Sequence, residues 1–410
     1  MTALVRKNAI YMLAGQVVHV GLPLLAIPFL ARTIGVDGLG VLAFVMSIGQ
    51  LGVIFVEYGF NLSGPRDVAT IGSSRHKVSE IFWSILFCKL TLFTILVLLI
   101  CFLGLVFSSV RLNFQNISVV SLLVLANIIY PQWLFQGLQR MGYVSILQIV
   151  GKLAAFLGLL LFVRNEGDVL VAILFQSLSP LIGAVLCLPL VFAEVDVAGL
   201  KGVSMHKIRR QFSNGRDIFV STAAISAYTT ANTFILGIVA SPAVVANYHI
   251  AEKIVRGLQA IYGPISNAVY PHVAGLVKVD PAGAVTYLKR IAFLLLSVSM
   301  FFAGAVYFAA DWIMLNVFGR GYDDAGEILK LFIFVFPVSV AANILCIQTL
   351  TAFGYERWVS RILFAVAVFG IPLFVFLVYL FQGVGGAVAN LIVEIIVLLL
   401  SAYIVKRRIG

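Results

Sequence analysis

Twelve apolar stretches, each long enough to cross a bilayer, follow one another along this chain with short polar intervals between them. A spanning helix needs about 20 largely apolar residues at a rise of about 1.5 Å each. The stretches cover 8–31, 39–61, 80–107, 117–138, 143–163, 169–193, 218–239, 247–275, 291–310, 327–352, 359–380 and 384–405. Composition agrees: 61% of the 410 residues are hydrophobic and 11% are charged, against roughly 25% charged in soluble proteins. In hydrocarbon only helices and closed barrels satisfy their own backbone. Stretches of this length select helices, so the expected fold is an all-α integral membrane protein with twelve transmembrane helices.

The distribution of basic residues orients it. An even number of spans puts both termini on one side of the membrane. Nineteen of the 28 Lys and Arg residues fall in the segments on that side, among them Arg75, Lys77, Lys207, Arg209, Arg210, Lys406, Arg407 and Arg408. Five, Arg32, Arg111, Arg164, Arg320 and Lys330, fall on the other. By the positive-inside rule both termini are cytoplasmic. The net charge of +11 is therefore a property of membrane topology, and no nucleic-acid partner is expected.

Neither the longest outer loop, 311–326, nor the longest inner one, 194–217, has room for a soluble catalytic domain. The inner loop sits in mid-chain and carries Lys207, Arg209 and Arg210, which suits a linker lying on an anionic leaflet. It divides the chain into an N-terminal lobe, 1–193, and a C-terminal lobe, 218–410. The two lobes share sequence. Gln-x-Leu-x-x-x-Gly-Tyr occurs at Gln136–Tyr143 and again at Gln348–Tyr355, and an offset of 205 lays spans 1–2 on spans 7–8, with Val68-Ala69 over Val273-Ala274. Six spans per lobe make this a parallel repeat, the kind that transporters build around a substrate held between halves.

Charged residues inside the spans are few, and span 8 holds three of them close together. Around a helix, Tyr248, Glu252, Arg256, Gln259, Gly263, Ser266 and Tyr270 form one stripe, with Lys253 at its edge and Ile254, Leu258, Ile261, Ile265 and Val269 opposite. A charge at the centre of a spanning helix costs about 2.5–3.5 kcal/mol on insertion scales, so three together imply a wet or protein-lined cavity. At offset 205 they align with Ser47, Ile48 and Leu51, which confines the cluster to one lobe. Lys152 in mid-span 5 and Lys89 in span 3 add cations, and Glu57 and Glu394 add carboxylates. The lining is thus slightly basic, which suits phosphate-bearing substrates, since Arg offers a planar fork and Lys a mobile point charge. Lys89 could also snorkel to the inner surface, and Glu252–Arg256 could be a purely internal pair. Glu57, Glu252 and Glu394 are the candidates for proton or ion coupling.

Enzyme signatures are missing: the chain has no phosphate-binding Gly-x-x-x-x-Gly-Lys loop, no His-Glu-x-x-His and no Cys-x-x-Cys. His19 reads as hydrogen-bonded packing, and Cys88, Cys101, Cys187 and Cys346 as apolar residues without metal spacing or disulfide pairing. No metal site, cofactor or enzymatic activity is expected. The first apolar run, preceded by Arg6-Lys7, continues past signal-peptide length through Pro23 and Pro28 and reads as an uncleaved helix.

The segment from Glu57 to Ala69, Glu-Tyr-Gly-Phe-Asn-Leu-Ser-Gly-Pro-Arg-Asp-Val-Ala, with the basic loop after it, resembles the Wzx-type O-antigen and polysaccharide flippases. So do Ala251-Glu-Lys-Ile254 and Asn267-Ala-Val-Tyr-Pro271. These flippases form a branch of the multidrug/oligosaccharidyl-lipid/polysaccharide exporter superfamily. The resemblance implies a substrate of undecaprenyl-pyrophosphate-linked oligosaccharide, moved from the cytoplasmic to the periplasmic leaflet of the bacterial inner membrane by alternating access. It also implies membrane lipids and other polysaccharide assembly proteins as partners. A cationic cavity of the family's kind corresponds to Lys89, Lys152, Lys253 and Arg256. The alternatives are a multidrug antiporter of the same superfamily and a membrane-embedded glycan polymerase or ligase. The charge count makes a direct prediction about topology. Reporter fusions after Lys207 and after Lys406 should both register as cytoplasmic and one near Gly321 as periplasmic; a periplasmic signal at Lys207 would break the two-lobe arrangement.

Overall fold

A computed structural model describes the backbone of residues 3–71 and 74–409. The side chains of 3–17, 19, 20, 224, 225, 227, 228 and 267 are outside the described residues, and with them the expectations for His19 and Asn267. Helices dominate, and no strand occurs among the described residues. In chain order they are α1 (Ala3–Glu57), α2 (Phe60–Ile71), α3 (Arg75–Val106), α4 (Ser108–Leu112), α5 (Phe114–Ile129), α6 (Gln132–Gly137), α7 (Met141–Phe162) and α8 (Val169–Glu194). There follow α9 (Met205–Thr229), α10 (Ala231–Val239), α11 (Pro242–Val279), α12 (Pro281–Ile313), α13 (Asp323–Phe332), α14 (Val335–Asn343) and α15 (Glu356–Arg408).

Among the described residues, eight helical stretches are long and apolar enough to cross a membrane. Two of them, Gly21–Ile71 with 51 residues and Glu356–Arg408 with 53, would span more than 70 Å if straight, against a hydrocarbon core of about 30 Å. Each is broken. Gly35 interrupts α1 at φ 70°, ψ 179°, a region open in practice to glycine alone. Gln382 interrupts α15 at φ 49°, ψ −128°, beside the close-packed Gly383, Gly385 and Gly386. Two double passes, six single ones, the α9–α10 pass and α11 make twelve.

The chain forms two compact units, Met1–Ser226 and Ala227–Gly410, and their backbones repeat. The break at Gly35 recurs 205 residues later at Ala240, where α10 ends in extended backbone with ψ 167° and Pro242 starts α11. Spans 4 and 10 also end alike. Leu138 N–H bonds to Leu134 O and Arg140 N–H to Phe135 O, around Gln139 at φ 58°. Phe353 N–H bonds to Thr349 O and Tyr355 N–H to Leu350 O, around Gly354 at φ 80°. This terminator repeats at an offset of 215, three residues from the register of the Gln-x-Leu-x-x-x-Gly-Tyr match. The shared geometry is the left-handed helix stop, which glycine meets without strain and Gln139 meets with some.

In the first unit, Val56, Ile85, Cys88, Leu134, Val144 and Cys187 lie in one buried cluster. Helices α7 and α8 touch where a Cβ on Gly151 would stand 2.7 Å from Gly183 N, the small-residue contact by which spanning helices approach closely. In the second unit, Ala342, Cys346 and Leu350 pack with Ile362, Val366, Val393 and Val397. All four cysteines are free thiols, with only Cys101 exposed. Phe293, Phe301 and Phe308 project from α12 largely uncovered, as a lipid-facing surface should.

The basic mid-chain segment is mostly ordered structure. A 3-10 turn, Val197–Gly202, leads into α9, whose first half is docked on the first unit. Lys207 pairs with Glu80 at 2.7 Å, Asn214 donates to Asp67 at 3.0 Å, and Phe219 stacks on Tyr58 at 4.5 Å. One close approach joins two glycines. A Cβ on Gly215 would sit 2.6 Å from Tyr58 O, and Gly59, at φ 81°, would drive its own into Ile218. Gly215→Ala should therefore lower the thermal midpoint of the purified protein by an overpacking cost of about 1–3 kcal/mol. Gly275→Ala, where a Cβ meets nothing within 4 Å, should leave it unchanged or raise it; equal midpoints would refute the close approach.

Candidate functional site

In the first unit Glu57 and Lys89 come together. Lys89 lies near the middle of α3 with its side chain 1% exposed, and its ammonium donates to Glu57 Oε1 at 2.7 Å and to Asn127 O at 3.2 Å. It does not snorkel to the surface. Glu57 ends α1, where the left-handed Tyr58 and Gly59 turn the chain into α2. Lys152 sits half-buried along α7.

In the second unit the polar stripe of α11 is the spine of a continuous network. At its N-terminal end, Tyr248 is fully buried and its hydroxyl accepts from Asn390 Nδ2 at 3.0 Å; Asn390 Oδ1 accepts from Asn232 Nδ2 at 3.1 Å. One turn on, Glu252 is 8% exposed and accepts from Thr233 Oγ1 at 3.1 Å. Arg256 follows. Its Nε lies 3.7 Å from Glu252 Oε1, its Nη1 donates to Gln259 Oε1 at 3.2 Å and its Nη2 to Thr229 O at 3.4 Å. Glu394, half-buried on the second pass of α15, lies within electrostatic range of Arg256.

Those distances decide what Arg256 can do. Guanidinium–carboxylate pairs committed to each other are bidentate at about 2.7–2.9 Å. Every contact of Arg256 is longer, none is bidentate, and its side chain remains 34% exposed while that of Glu252 is 10% exposed. The guanidinium is held in place without being saturated. Lys253, half-buried beside it, makes no hydrogen bond or ion pair among the described residues. The structure thus brings Glu252, Arg256 and Glu394 into one constellation with Lys253 adjacent, and Glu57 with Lys89 into another.

The stripe continues into a cavity of about 390 Å³ lined by Gln259, Tyr262, Gly263, Ser266, Ser339, Val340, Asn343 and Ile347. Gln259 Nε2 donates to Ser339 Oγ at 2.9 Å. Asn343 Oδ1 accepts from Tyr262 Oη at 3.1 Å and from Ser266 Oγ at 3.2 Å. Behind them Gln348 Nε2 donates to Ser266 O at 2.9 Å and to Ser266 Oγ at 2.5 Å. Gln348 belongs to a π-helical turn, Ile344–Thr351. Such turns often mark functional sites, and they bring residues five apart onto one face, as Asn343 and Gln348 are here. Periodicity at 3.6 residues separates that pair. Ser339 and Asn343, at i and i+4 in an apolar span, are the partners a polar-stripe search of span 10 could have found; Thr233 and Asn232 offered no periodic signal. Among the described residues no three His, Cys, Asp or Glu side chains come together as a metal site.

The family described as "Polysaccharide biosynthesis protein" matches residues 5–277. A protein named "Putative O-antigen transporter" from Escherichia coli (strain K12) is 31% identical over 405 residues, covering 98% of this chain and 97% of its own. A protein of the same name from Shigella dysenteriae is 26% identical over 98% of this chain and the whole of its own. In backbone, an inward-facing multidrug resistance MATE transporter of the MOP superfamily aligns at a TM-score of 0.76, covering 99% of both chains at 14% identity. The lipid II flippase MurJ in an inward closed conformation aligns at 0.71, covering 97% of this chain and 87% of its own, also at 14% identity. At that identity the two structures speak for the fold, and the sequence matches carry the assignment. The chain belongs to the polysaccharide biosynthesis protein family as a Wzx-type polysaccharide flippase, a multi-pass membrane transporter rather than an enzyme.

Proposed function

We propose that the chain moves an undecaprenyl-pyrophosphate-linked oligosaccharide, an O-antigen or similar repeat unit, from the cytoplasmic to the periplasmic leaflet of a bacterial inner membrane by alternating access. Both termini face the cytoplasm, and the polyprenyl tail stays in lipid while the head group crosses. The observation that carries this reading is Arg256, a half-buried guanidinium on a spanning helix whose internal contacts are all long. An arginine kept only to neutralise Glu252 would close on it. One with spare donors beside Lys253 suits a pyrophosphate, and a lipophilic cation would be repelled by both.

The same constellation supplies a route for coupling. Glu252 and Glu394 both lie near the single guanidinium of Arg256. A bound pyrophosphate competes with them for it, and a buried carboxylate deprived of its cation takes up a proton. Substrate entry and proton uptake are then one exchange. Glu57 is less suited to this role, because protonating it would strand the buried ammonium of Lys89, and breaking such a pair costs about 3–5 kcal/mol.

Proteoliposomes test the reading. Loaded with undecaprenyl-pyrophosphate-linked oligosaccharide in one leaflet, those containing the protein should expose it in the other faster than protein-free vesicles, and faster again under a pH gradient. Glu252→Gln or Glu394→Gln should remove the stimulation, while Glu57→Gln should lower the yield of folded protein. Movement no faster than in protein-free vesicles, together with efflux of an amphipathic dye cation, would favour the multidrug antiporter instead.

A further inference from the structure

The cavity beside the charged cluster has a chemistry of its own. Its 390 Å³ falls within the roughly 300–1,000 Å³ of small-molecule sites, yet no lining side chain carries a charge. A phosphate would find no cation there and a drug cation no carboxylate. What the walls offer is a fixed mixture of neutral donors and acceptors. Asn343 Oδ1 is occupied by Tyr262 and Ser266, and its Nδ2 makes no hydrogen bond among the described residues. The oxygens of Tyr262 and Gln259 each keep an acceptor site beyond the bonds they already make. Hydroxyl groups both donate and accept, so a polyol ring can answer each of these, and the Tyr262 ring supplies an apolar face.

The wall is also kept open where helix stability would favour filling it. Gly263 lies in the interior of α11, where glycine is less stable than alanine. Its own neighbour Pro264 apart, a Cβ there would meet nothing within 4 Å, so the glycine leaves wall space that a larger side chain would fill. Gln348 fixes Ser266 from behind, and its own Oε1 is buried without a partner. The link to the charged cluster is direct: Gln259 accepts from Arg256 and donates to Ser339. Along α11 the six residues from Arg256 to Tyr262 rise about 9 Å, which suits a sugar attached to a pyrophosphate.

We infer that this cavity is a sugar-binding subsite, taking an uncharged pyranose ring of the glycan while Arg256 engages the pyrophosphate that bears it; the assignment rests on the transport reading above. Recognition of the glycan is thereby separated from recognition of the phosphate on one helix, two turns apart.

Equilibrium binding separates this inference from transport itself. The probes are bare undecaprenyl pyrophosphate and the lipid-linked oligosaccharide extracted from source cells lacking this chain, each titrated against the purified full-length protein. The wild type should bind the glycosylated lipid at least tenfold more tightly than the bare one. Gly263→Leu should bring the two affinities together without changing that for the bare lipid, and Gly263→Ala should have a smaller effect in the same direction. A wild type that does not distinguish the lipids, or binds neither, overturns the subsite. So does a Gly263→Leu protein that folds and keeps the full preference. Failure of the transport reading would look different: the preference and its loss in Gly263→Leu would persist while proteoliposomes moved neither lipid.

Discussion

A charge buried in hydrocarbon must be neutralised, hydrogen-bonded or used, and this chain is arranged around that requirement. Lys89 meets it by neutralisation: its ammonium is closed off by Glu57 and the Asn127 carbonyl. Arg256 meets it only in part, through three contacts of 3.2 to 3.7 Å. Buried pairs contribute little net stability over apolar packing of the same volume. Their retention in a chain that is 61% hydrophobic is better explained by transport than by folding. The contrast between a saturated cation in one unit and an unsaturated one in the other is what favours the second unit in the proposed reading.

Helix α11 turns that requirement into a gradient of chemistry along one stripe. Tyr248 and the Asn232–Asn390 pair anchor its N-terminal end with neutral hydrogen bonds. Glu252, Arg256 and Lys253 follow, and the uncharged cavity from Gln259 to Ser266 comes last. The surrounding elements are irregular where they face the stripe. The α9–α10 pass is broken at Thr230, and span 10 passes from α14 into a π-helical turn. Irregular backbone is tolerated at membrane depth only where protein or a cavity satisfies it, so these departures mark the face that holds the polar network.

Much of this could be read from residue order. The twelve passes, the break near residue 35, the break near 382 and the polar stripe of span 8 follow from hydropathy, glycine placement and a 100° step. The offset of 205 pairs Gly35 with Ala240, which a local alignment of spans 1–2 on 7–8 anticipates. The other repeat shows the limit of letters. The Gln-x-Leu-x-x-x-Gly-Tyr match has one register and the common helix stop another, because a left-handed terminator can be built with Gly354 or with Gln139. The pairing of Lys89 with Glu57 is a tertiary fact with no local signal. Nor does periodicity reveal Gln348 behind Ser266, since the π-helical turn shifts its face.

The central claim is that Arg256 serves a substrate and not merely Glu252. The most direct measurement is the affinity for lipid-linked oligosaccharide in three proteins: Arg256→Gln, Glu252→Gln and the double variant. The double variant removes both charges and strands neither. If Arg256 binds pyrophosphate, it should remain as impaired as Arg256→Gln, weaker than wild type by the roughly ten- to 150-fold that a lost charge-assisted hydrogen bond of about 1.5–3 kcal/mol implies. Recovery of wild-type affinity in the double variant would mean that Arg256 only neutralised Glu252, and the claim would be wrong.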